Sequence, residues 1–141
     1  MRMEDTTMER TITDRAADLA RHYGEEAGPT VAQWQRVLAG PAGSPITVIN
    51  LFKLRPKGLE PMMRYAAVSG PTVTKVGGRF LLSGPFETTL IGDEEPWDIV
   101  AIASYPDRAA LLALFDDEAY RAAWADRVAA VERQRVVIAA G

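Results

Sequence analysis

The chain has 141 residues, of which 48% are hydrophobic and 25% charged, so it fits one globular domain with its own core. Its 16 basic and 19 acidic residues give a net charge of −3, which argues against the basic face that nucleic-acid binding normally needs. The lack of cysteine and the single histidine, His22, exclude disulfides, thiolate nucleophiles and polyhistidine metal sites within one chain. No run is long enough to span a membrane and the first residues are polar, so we expect a cytoplasmic protein.

The first 44 residues divide into an arm and a helical extension. Residues 1–13 are polar and unpatterned, which predicts a flexible arm. A helix is predicted from Asp14, with an apolar stripe at i, i+3, i+4 and i+7 that consists of Ala16, Leu19, Ala20 and Tyr23. A second helix begins at Thr30, with Gln33 at capping-box spacing, and its apolar face consists of Val31, Trp34 and Leu38.

A linker rich in proline and glycine follows, and we assign residues 14–44 to the extension with this linker. Two helices this short are marginal alone. We therefore expect residues 14–39 to pack across the following domain or against a partner subunit.

Residues 45–141 alternate between strand and helix patterns. The predicted strands are Ile46–Leu54, Arg79–Phe86 with a continuation over Thr88–Ile91, Trp97–Tyr105 and Arg135–Ala139. The first predicted helix covers residues 62–76, and the Gly70-Pro71 pair should kink or split it. Further helices are predicted after Asp107 and after a cap at Asp116 or Asp117.

The order β-α-β-β-α-β predicts an α+β, ferredoxin-like fold with a four-stranded antiparallel sheet. Helices on one face leave the other face bare, and its candidate residues are largely apolar. An apolar face of that size needs a partner, so we predict a homodimer joined through the sheets.

A family resemblance rests on an ordered set of residues between positions 46 and 139. They are Asn50-Leu51-Phe52-Lys53, Tyr65, Lys75 to Arg79, Gly84, Leu90 to Asp93, Trp97-Asp98, Tyr105 to Arg108, Tyr120, Arg127 and Arg135. This set resembles the dimeric α+β-barrel superfamily and, within it, a family of short bacterial domains of unknown function. The resemblance implies the fold and a dimer. Because relatives include cofactor-free monooxygenases, isomerases, polyketide cyclases and haem-dependent enzymes, it implies no single reaction.

Two departures from this resemblance matter. Similar chains often carry histidine where this chain has Asp126, so imidazole chemistry is absent there, and residues 14–39 lie outside the part that matches. Related haem enzymes use a protein histidine as axial ligand, and no histidine follows His22. The Gly77-Gly78 pair precedes a strand, whereas phosphate-binding glycines follow one. We therefore expect no haem, metal or nucleotide cofactor.

Two candidate residues lie on the first predicted strand. Asn50 is surrounded by apolar neighbours, so its amide either points into the barrel cavity or ties the strand to neighbouring backbone. Lys53 falls on the opposite strand face. With Arg55 it is either an anion anchor at the end of the sheet or a solvated strand end.

Asp98 and Arg127 interrupt otherwise apolar segments. On an inner face Asp98 would be desolvated and could act as a general base, and the alternative is a salt bridge to Arg79 or another arginine. Arg127 interrupts the stripe formed by Tyr120, Trp124, Val128 and Val131. Its guanidinium could hold a carboxylate or enolate, or pair with a structural acid such as Asp98 or Glu132.

Tyr65 and Tyr105 complete the candidate catalytic set, because a phenol can orient or protonate a substrate oxygen. The alternative for both is packing in the core.

Three classes of function remain open. The first is a cofactor-independent isomerase, cyclase or oxygenase-like enzyme acting on a hydrophobic oxygenated small molecule. The second is a binding protein without turnover, and the third is a structural dimer with a filled core. An open pocket with a few convergent polar groups would separate the first two from the third.

Overall fold

The computed structural model describes residues 3–141, with side chains from residue 11 onward. The elements of this part are α1 (Met3–Tyr23), α2 (Val31–Ala39), β1 (Ile46–Leu54), α3 (Leu59–Lys75), β2 (Arg79–Pro85), β3 (Ile99–Tyr105), α4 (Arg108–Asp116), α5 (Glu118–Ala130) and β4 (Val131–Ala140). The chain divides into an N-terminal unit and a C-terminal unit between Pro41 and Ala42. None of the helices in the described residues is long and apolar enough to cross a membrane.

The N-terminal unit is a pair of helices. Residues 3–13, predicted as an arm, are helical, and Ile12 extends the apolar stripe of α1 by one turn toward the N-terminus; residues 1 and 2 lie outside the described part. α1 ends at Tyr23 because Gly24 takes a φ of +77°, which favours glycine. The capping box of α2 forms as predicted: the Gln33 N–H donates to Thr30 Oγ1 at 3.1 Å and the Thr30 N–H to Gln33 Oε1 at 2.9 Å.

The C-terminal unit contains one antiparallel sheet of order β2-β3-β1-β4. With helices after β1 and after β3, this is the predicted ferredoxin-like arrangement, which the structure confirms. The register places Asn50 opposite Ala101 on β3 and Val136 on β4.

The two faces of the sheet differ in burial. Ile46, Val48 and Phe52 of β1 lie on the buried face, together with Ala103 and Tyr105 of β3. We call the opposite side the open face; it carries half-buried and exposed apolar side chains, namely Ile49, Leu51, Leu82, Val100, Ile102 and Val137. The core of this unit therefore lies between the buried face and the helices.

α3 is one continuous helix, so Pro71 does not split it into two. Gly70 has no Cβ to clash with the proline ring, which is the usual obstacle to a helical residue before proline. The Thr72 hydroxyl donates to the Val68 carbonyl at 2.7 Å and adds a side-chain bond in the same turn.

Asp117 is the N-cap of α5 and is one of the two predicted caps. Its Oδ1 accepts the Tyr120 N–H at 3.0 Å, and its Oδ2 accepts from Lys75 Nζ at 2.9 Å. These hydrogen bonds, from Lys75 first and then from the Tyr120 N–H, lower the pKa of the Asp117 carboxyl and also link α5 to α3.

Three strand predictions need correction. β3 begins at Ile99 rather than Trp97, and β4 begins at Val131 rather than Arg135. Residues 88–91 form no strand: Leu90 and Ile91 are 91% and 88% exposed, and no described strand pairs with them. A strand-like composition without a pairing edge or a surface to cover does not form a strand.

Gly58 is required by a close backbone approach where the chain leaves β1. A Cβ at this position would overlap the carbonyl oxygen of Ala130, which also accepts the Arg55 N–H at 2.9 Å. We expect Gly58→Ala to lower the free energy of unfolding by about 1–3 kcal/mol, measured by urea denaturation. Gly84→Ala is the control, because its Cβ would meet no atom within 4 Å; an equal loss in both variants would contradict this.

Candidate functional site

The C-terminal unit holds two groups of polar side chains at different places. The first, which we call the Arg127 cluster, consists of Arg127, Tyr65, Tyr120 and Gln134. The second is the sheet-end cleft, lined by Lys53, Leu54, Arg55, Pro56, Leu59, Ser83, Gly84, Pro85, Asp98 and Ile99.

The guanidinium of Arg127 is the centre of its cluster, and the residue as a whole is only 6% exposed. Its Nη1 donates to the hydroxyls of Tyr65 at 2.9 Å and Tyr120 at 3.4 Å. Its Nε and Nη2 donate to Gln134 Oε1 at 3.1 Å and 2.8 Å. The two tyrosine hydroxyls lie 2.5 Å apart and share a hydrogen bond. α3, α5 and β4 therefore each supply a polar group to one buried cation.

Aromatic rings surround the same guanidinium. Its Cζ lies 4.8 Å from the ring centres of Phe52 and Trp124, and 5.4 Å from that of Tyr65. A cation over aromatic faces gains electrostatic stabilisation that grows as water is excluded. Neither Asp98 nor Glu132 pairs with Arg127, contrary to the sequence-based alternatives, and no carboxylate of the described residues does so.

Burial and mutual proximity change the pKa values of Tyr120 and Arg127. Burial first, and then the nearby Tyr65 phenol, raises the pKa of Tyr120 well above its ordinary value. Burial lowers the pKa of Arg127, but the Tyr65 and Tyr120 oxygens outweigh it and leave that pKa above its usual value. At neutral pH the cluster therefore contains a guanidinium cation and a neutral Tyr120.

Two further candidates lie on the buried face of the sheet. The Asn50 amide donates to the Ala101 carbonyl at 3.0 Å, so it ties β1 to β3 as one of the two predicted alternatives has it. Because Asn50 lies on the buried face, its side chain does not point toward the open face. Tyr105 is 3% exposed, and burial, followed by Tyr65, raises the pKa of its phenol.

The sheet-end cleft lies where β1 and β2 end and β3 begins. Its volume is about 640 Å³. Of its ten lining residues, five have apolar side chains: Leu54, Pro56, Leu59, Pro85 and Ile99. Ligand pockets typically have a volume of about 300–1,000 Å³. The volume of this cleft falls within that range, and the cleft is more open to solvent than enclosed.

Asp98 is the carboxylate of the cleft. Its Oδ2 accepts the Leu54 N–H at 2.8 Å and lies 3.4 Å from Lys53 Nζ. The alternative of an ion pair at the strand end thus forms with Lys53 rather than with Arg79 or another arginine. Arg79 pairs with Ser104 at the far end of the sheet. The Asp98 side chain is 39% exposed, so a ligand in the cleft could reach it.

The structure thus brings Arg127 and Tyr65 into contact and places Asp98 with Lys53 and Arg55 elsewhere. Sequence reasoning missed Tyr120 and Gln134 as partners of Arg127. A signal was present: Tyr120, Ala123, Trp124 and Arg127 follow i, i+3, i+4 and i+7, so Arg127 continues the buried stripe of α5. Val128, predicted in that stripe, is 39% exposed.

Gln134 accepts two of the hydrogen bonds from a cation that no carboxylate of the described residues neutralises. We expect Gln134→Leu to lower the free energy of unfolding by about 1.5–3 kcal/mol, because charged donors lose their acceptor. Gln134→Glu should instead preserve or raise stability at neutral pH, because a carboxylate accepts these bonds more strongly.

Both variants are compared with the wild type by urea denaturation between pH 3 and pH 8. The carboxyl that Gln134→Glu introduces should have a folded-state pKa below its unfolded value of about 4.3. The resulting stabilisation is present above that unfolded pKa and is lost as pH falls through the folded pKa. Equal stability of Gln134→Leu and the wild type would contradict the importance of these bonds.

Comparison with known proteins adds the family. No protein of curated function matches the chain. A protein of unknown function from Rhodopseudomonas palustris, RPA0582, is 35% identical, with a TM-score of 0.76 over 82% of this chain and 95% of its own. A NIPSNAP family protein of unknown function from Agrobacterium tumefaciens is 15% identical, with a TM-score of 0.51 over 70% of this chain and 89% of its own, and shares the fold alone. The model of a domain of unknown function, DUF1330, matches residues 48–141, and the chain belongs to this family.

Proposed function

We propose that the protein is a homodimer that binds an apolar, oxygen-bearing small molecule in the sheet-end cleft and acts on it by acid–base chemistry without a resident cofactor. One observation carries the proposal: the carboxylate of Asp98 and the ammonium of Lys53 lie 3.4 Å apart in a cleft that five apolar side chains also line. A base beside a cation is the pair that proton abstraction next to a carbonyl requires.

The reaction follows from the two groups. Asp98 takes a proton from the carbon next to a carbonyl, the C–H bond breaks, and its electron pair moves to the carbonyl oxygen as an enolate. The Lys53 ammonium stabilises that oxyanion. In a β,γ-unsaturated carbonyl compound the enolate is conjugated with the C=C bond, so return of the proton from Asp98 to the γ-carbon moves the double bond and completes an isomerisation. In a compound with a second carbonyl, the enolate carbon would attack that carbonyl carbon, the C=O π electrons would move to its oxygen, and this oxygen would take the proton from Asp98 to complete a cyclisation.

Other candidate residues have a different place in this proposal. Asn50, Tyr65, Tyr105 and Arg127 are not among the residues that line the cleft. In this proposal they stabilise the core and do not contact the ligand.

One observation favours a second candidate, a binding protein without turnover. Asp98 Oδ2 accepts the Leu54 N–H at 2.8 Å and so anchors the end of β1 to the start of β3. If this anchoring is the whole role of Asp98, the cleft binds a ligand and leaves it unchanged.

Deuterium exchange separates the two candidates. With 2-tetralone as probe in D₂O, we expect the protein to accelerate loss of the proton signals next to the carbonyl, followed by NMR. Asp98→Asn keeps an oxygen acceptor for Leu54 but removes the base, so the accelerated rate should fall by about 10²-fold or more. Asp93→Asn, in an exposed loop, is the matched control and should exchange at the wild-type rate.

The outcomes are distinct. Binding of 2-tetralone without accelerated exchange supports the binding protein and overturns the enzyme. A wild-type rate in Asp98→Asn assigns the base elsewhere and overturns the role of Asp98.

The proposal of a homodimer depends on the apolar side chains of the open face. Ile49 lies opposite Ile102 and Val137, and Leu51 lies opposite Val100, so the centre of this face is a continuous apolar surface. A two-fold axis brings the same patch of two copies together, and an apolar patch is complementary to itself. Covering it removes from water the side chains that one C-terminal unit leaves half-exposed.

A charge in the centre of that surface should separate the subunits. We expect the wild type to have twice the 15.4 kDa chain mass in light scattering at micromolar concentration, and Ile102→Lys to have the single mass. Met63→Lys, on the exposed side of α3, should stay dimeric. Circular dichroism verifies that both variants are folded, and a wild type of 15.4 kDa would refute the dimer.

A further inference from the structure

The sheet-end cleft carries more positive than negative charge although the whole chain is acidic. Its lining contains two cations, Lys53 and Arg55, against one carboxylate, Asp98. The chain as a whole has a net charge of −3. The cleft is therefore a local positive site on an acidic protein, where field lines concentrate and attract anions.

Both cations are available to a ligand. Lys53 Nζ lies 3.4 Å from Asp98, longer than the 2.7–2.9 Å or so of a strong charged hydrogen bond, and the nearest oxygen already accepts the Leu54 N–H. Arg55 is exposed, and its guanidinium forms no ion pair within the described residues. Two groups of fixed positive charge thus border the cleft with little of their bonding capacity used.

We infer that the ligand of this cleft is an apolar monocarboxylate, whose carboxylate is bound by Lys53 and Arg55 and whose hydrocarbon part lies on Leu59, Pro85 and Ile99. This rests on the proposed function and names its ligand class. A single excess positive charge matches one carboxylate, and guanidinium and ammonium groups are its usual partners. The apolar walls gain from burying a hydrocarbon or aromatic group, which a fully polar ligand would not provide.

The carbonyl of the proposed reaction and this carboxylate are compatible in one molecule. In this arrangement the carboxylate of the ligand accepts hydrogen bonds from Arg55 and from one N–H of Lys53. The other N–H groups of Lys53 are left to stabilise the enolate oxygen that forms beside Asp98. A keto acid with an apolar body meets both requirements, and it needs no reactant besides the proton that Asp98 takes and returns.

Calorimetry with 4-phenylbutanoate and its neutral isostere 4-phenylbutanamide tests the inference. We expect the carboxylate to bind about five- to tenfold more tightly than the amide, and added salt to weaken only the carboxylate. Lys53→Gln and Arg55→Gln should each weaken carboxylate binding several-fold and leave amide binding nearly unchanged. Lys57→Gln, an exposed lysine outside the lining, is the matched control and should bind both probes as the wild type does.

The results distinguish the two proposals. If amide and carboxylate bind equally, the ligand class is wrong and the cleft remains a small-molecule site. If neither binds, the proposed function fails together with the ligand class. If the carboxylate binds more tightly and both variants leave it unchanged, the anion site lies elsewhere and the inference is overturned.

Discussion

The burial of one cation constrains the core of the C-terminal unit. Removing a guanidinium from water costs several kcal/mol, roughly, unless its donors find acceptors. Here the acceptors come from three elements, Tyr65 on α3, Tyr120 on α5 and Gln134 on β4, while Phe52 of β1 provides an aromatic face. The positions of both long helices against the sheet are therefore coupled, because a shift of any one element would leave a charged donor unpaired.

The two groups of polar side chains in this unit, the Arg127 cluster and the sheet-end cleft, have different roles. The Arg127 cluster is closed, and its strongest contacts join protein groups to each other. The cleft is the opposite case: Asp98 is 39% exposed and Lys53 30% exposed, so their charges are available to a ligand. Arginine in the interior and lysine at the edge suit these two tasks, since a guanidinium can donate to several fixed acceptors and an ammonium on a flexible stem can change partner.

Hydrophobic periodicity was sufficient to predict the order of the elements and the ferredoxin-like topology, because buried strands and amphipathic helices have different periods. Periodicity gave wrong predictions where contacts between distant parts of the chain determine the local structure. Pro71 is tolerated inside α3, and residues 88–91 have strand composition without a pairing edge. The sequence singles out Arg127 as unusual, but its partners Tyr65 and Gln134 lie on α3 and β4, and no local pattern joins these elements to α5. The cleft joins residues 53–59 with 83–85 and 98–99, a proximity that follows from strand order rather than from any local pattern.

The same strand order gives the cleft its rigidity. Phe86 N–H donates to the Asp98 carbonyl at 2.9 Å, and Asp98 N–H donates to the Phe52 carbonyl at 2.7 Å, so both ends of the segment between β2 and β3 are fixed to the sheet. Asp98 uses its backbone for these two bonds and its Oδ2 for Leu54, and its carboxylate is thereby held in one orientation beside Lys53. A residue anchored by three hydrogen bonds loses little further freedom when a ligand binds. Preorganisation of this kind raises affinity and favours proton transfer, because the reacting groups are positioned before the substrate arrives.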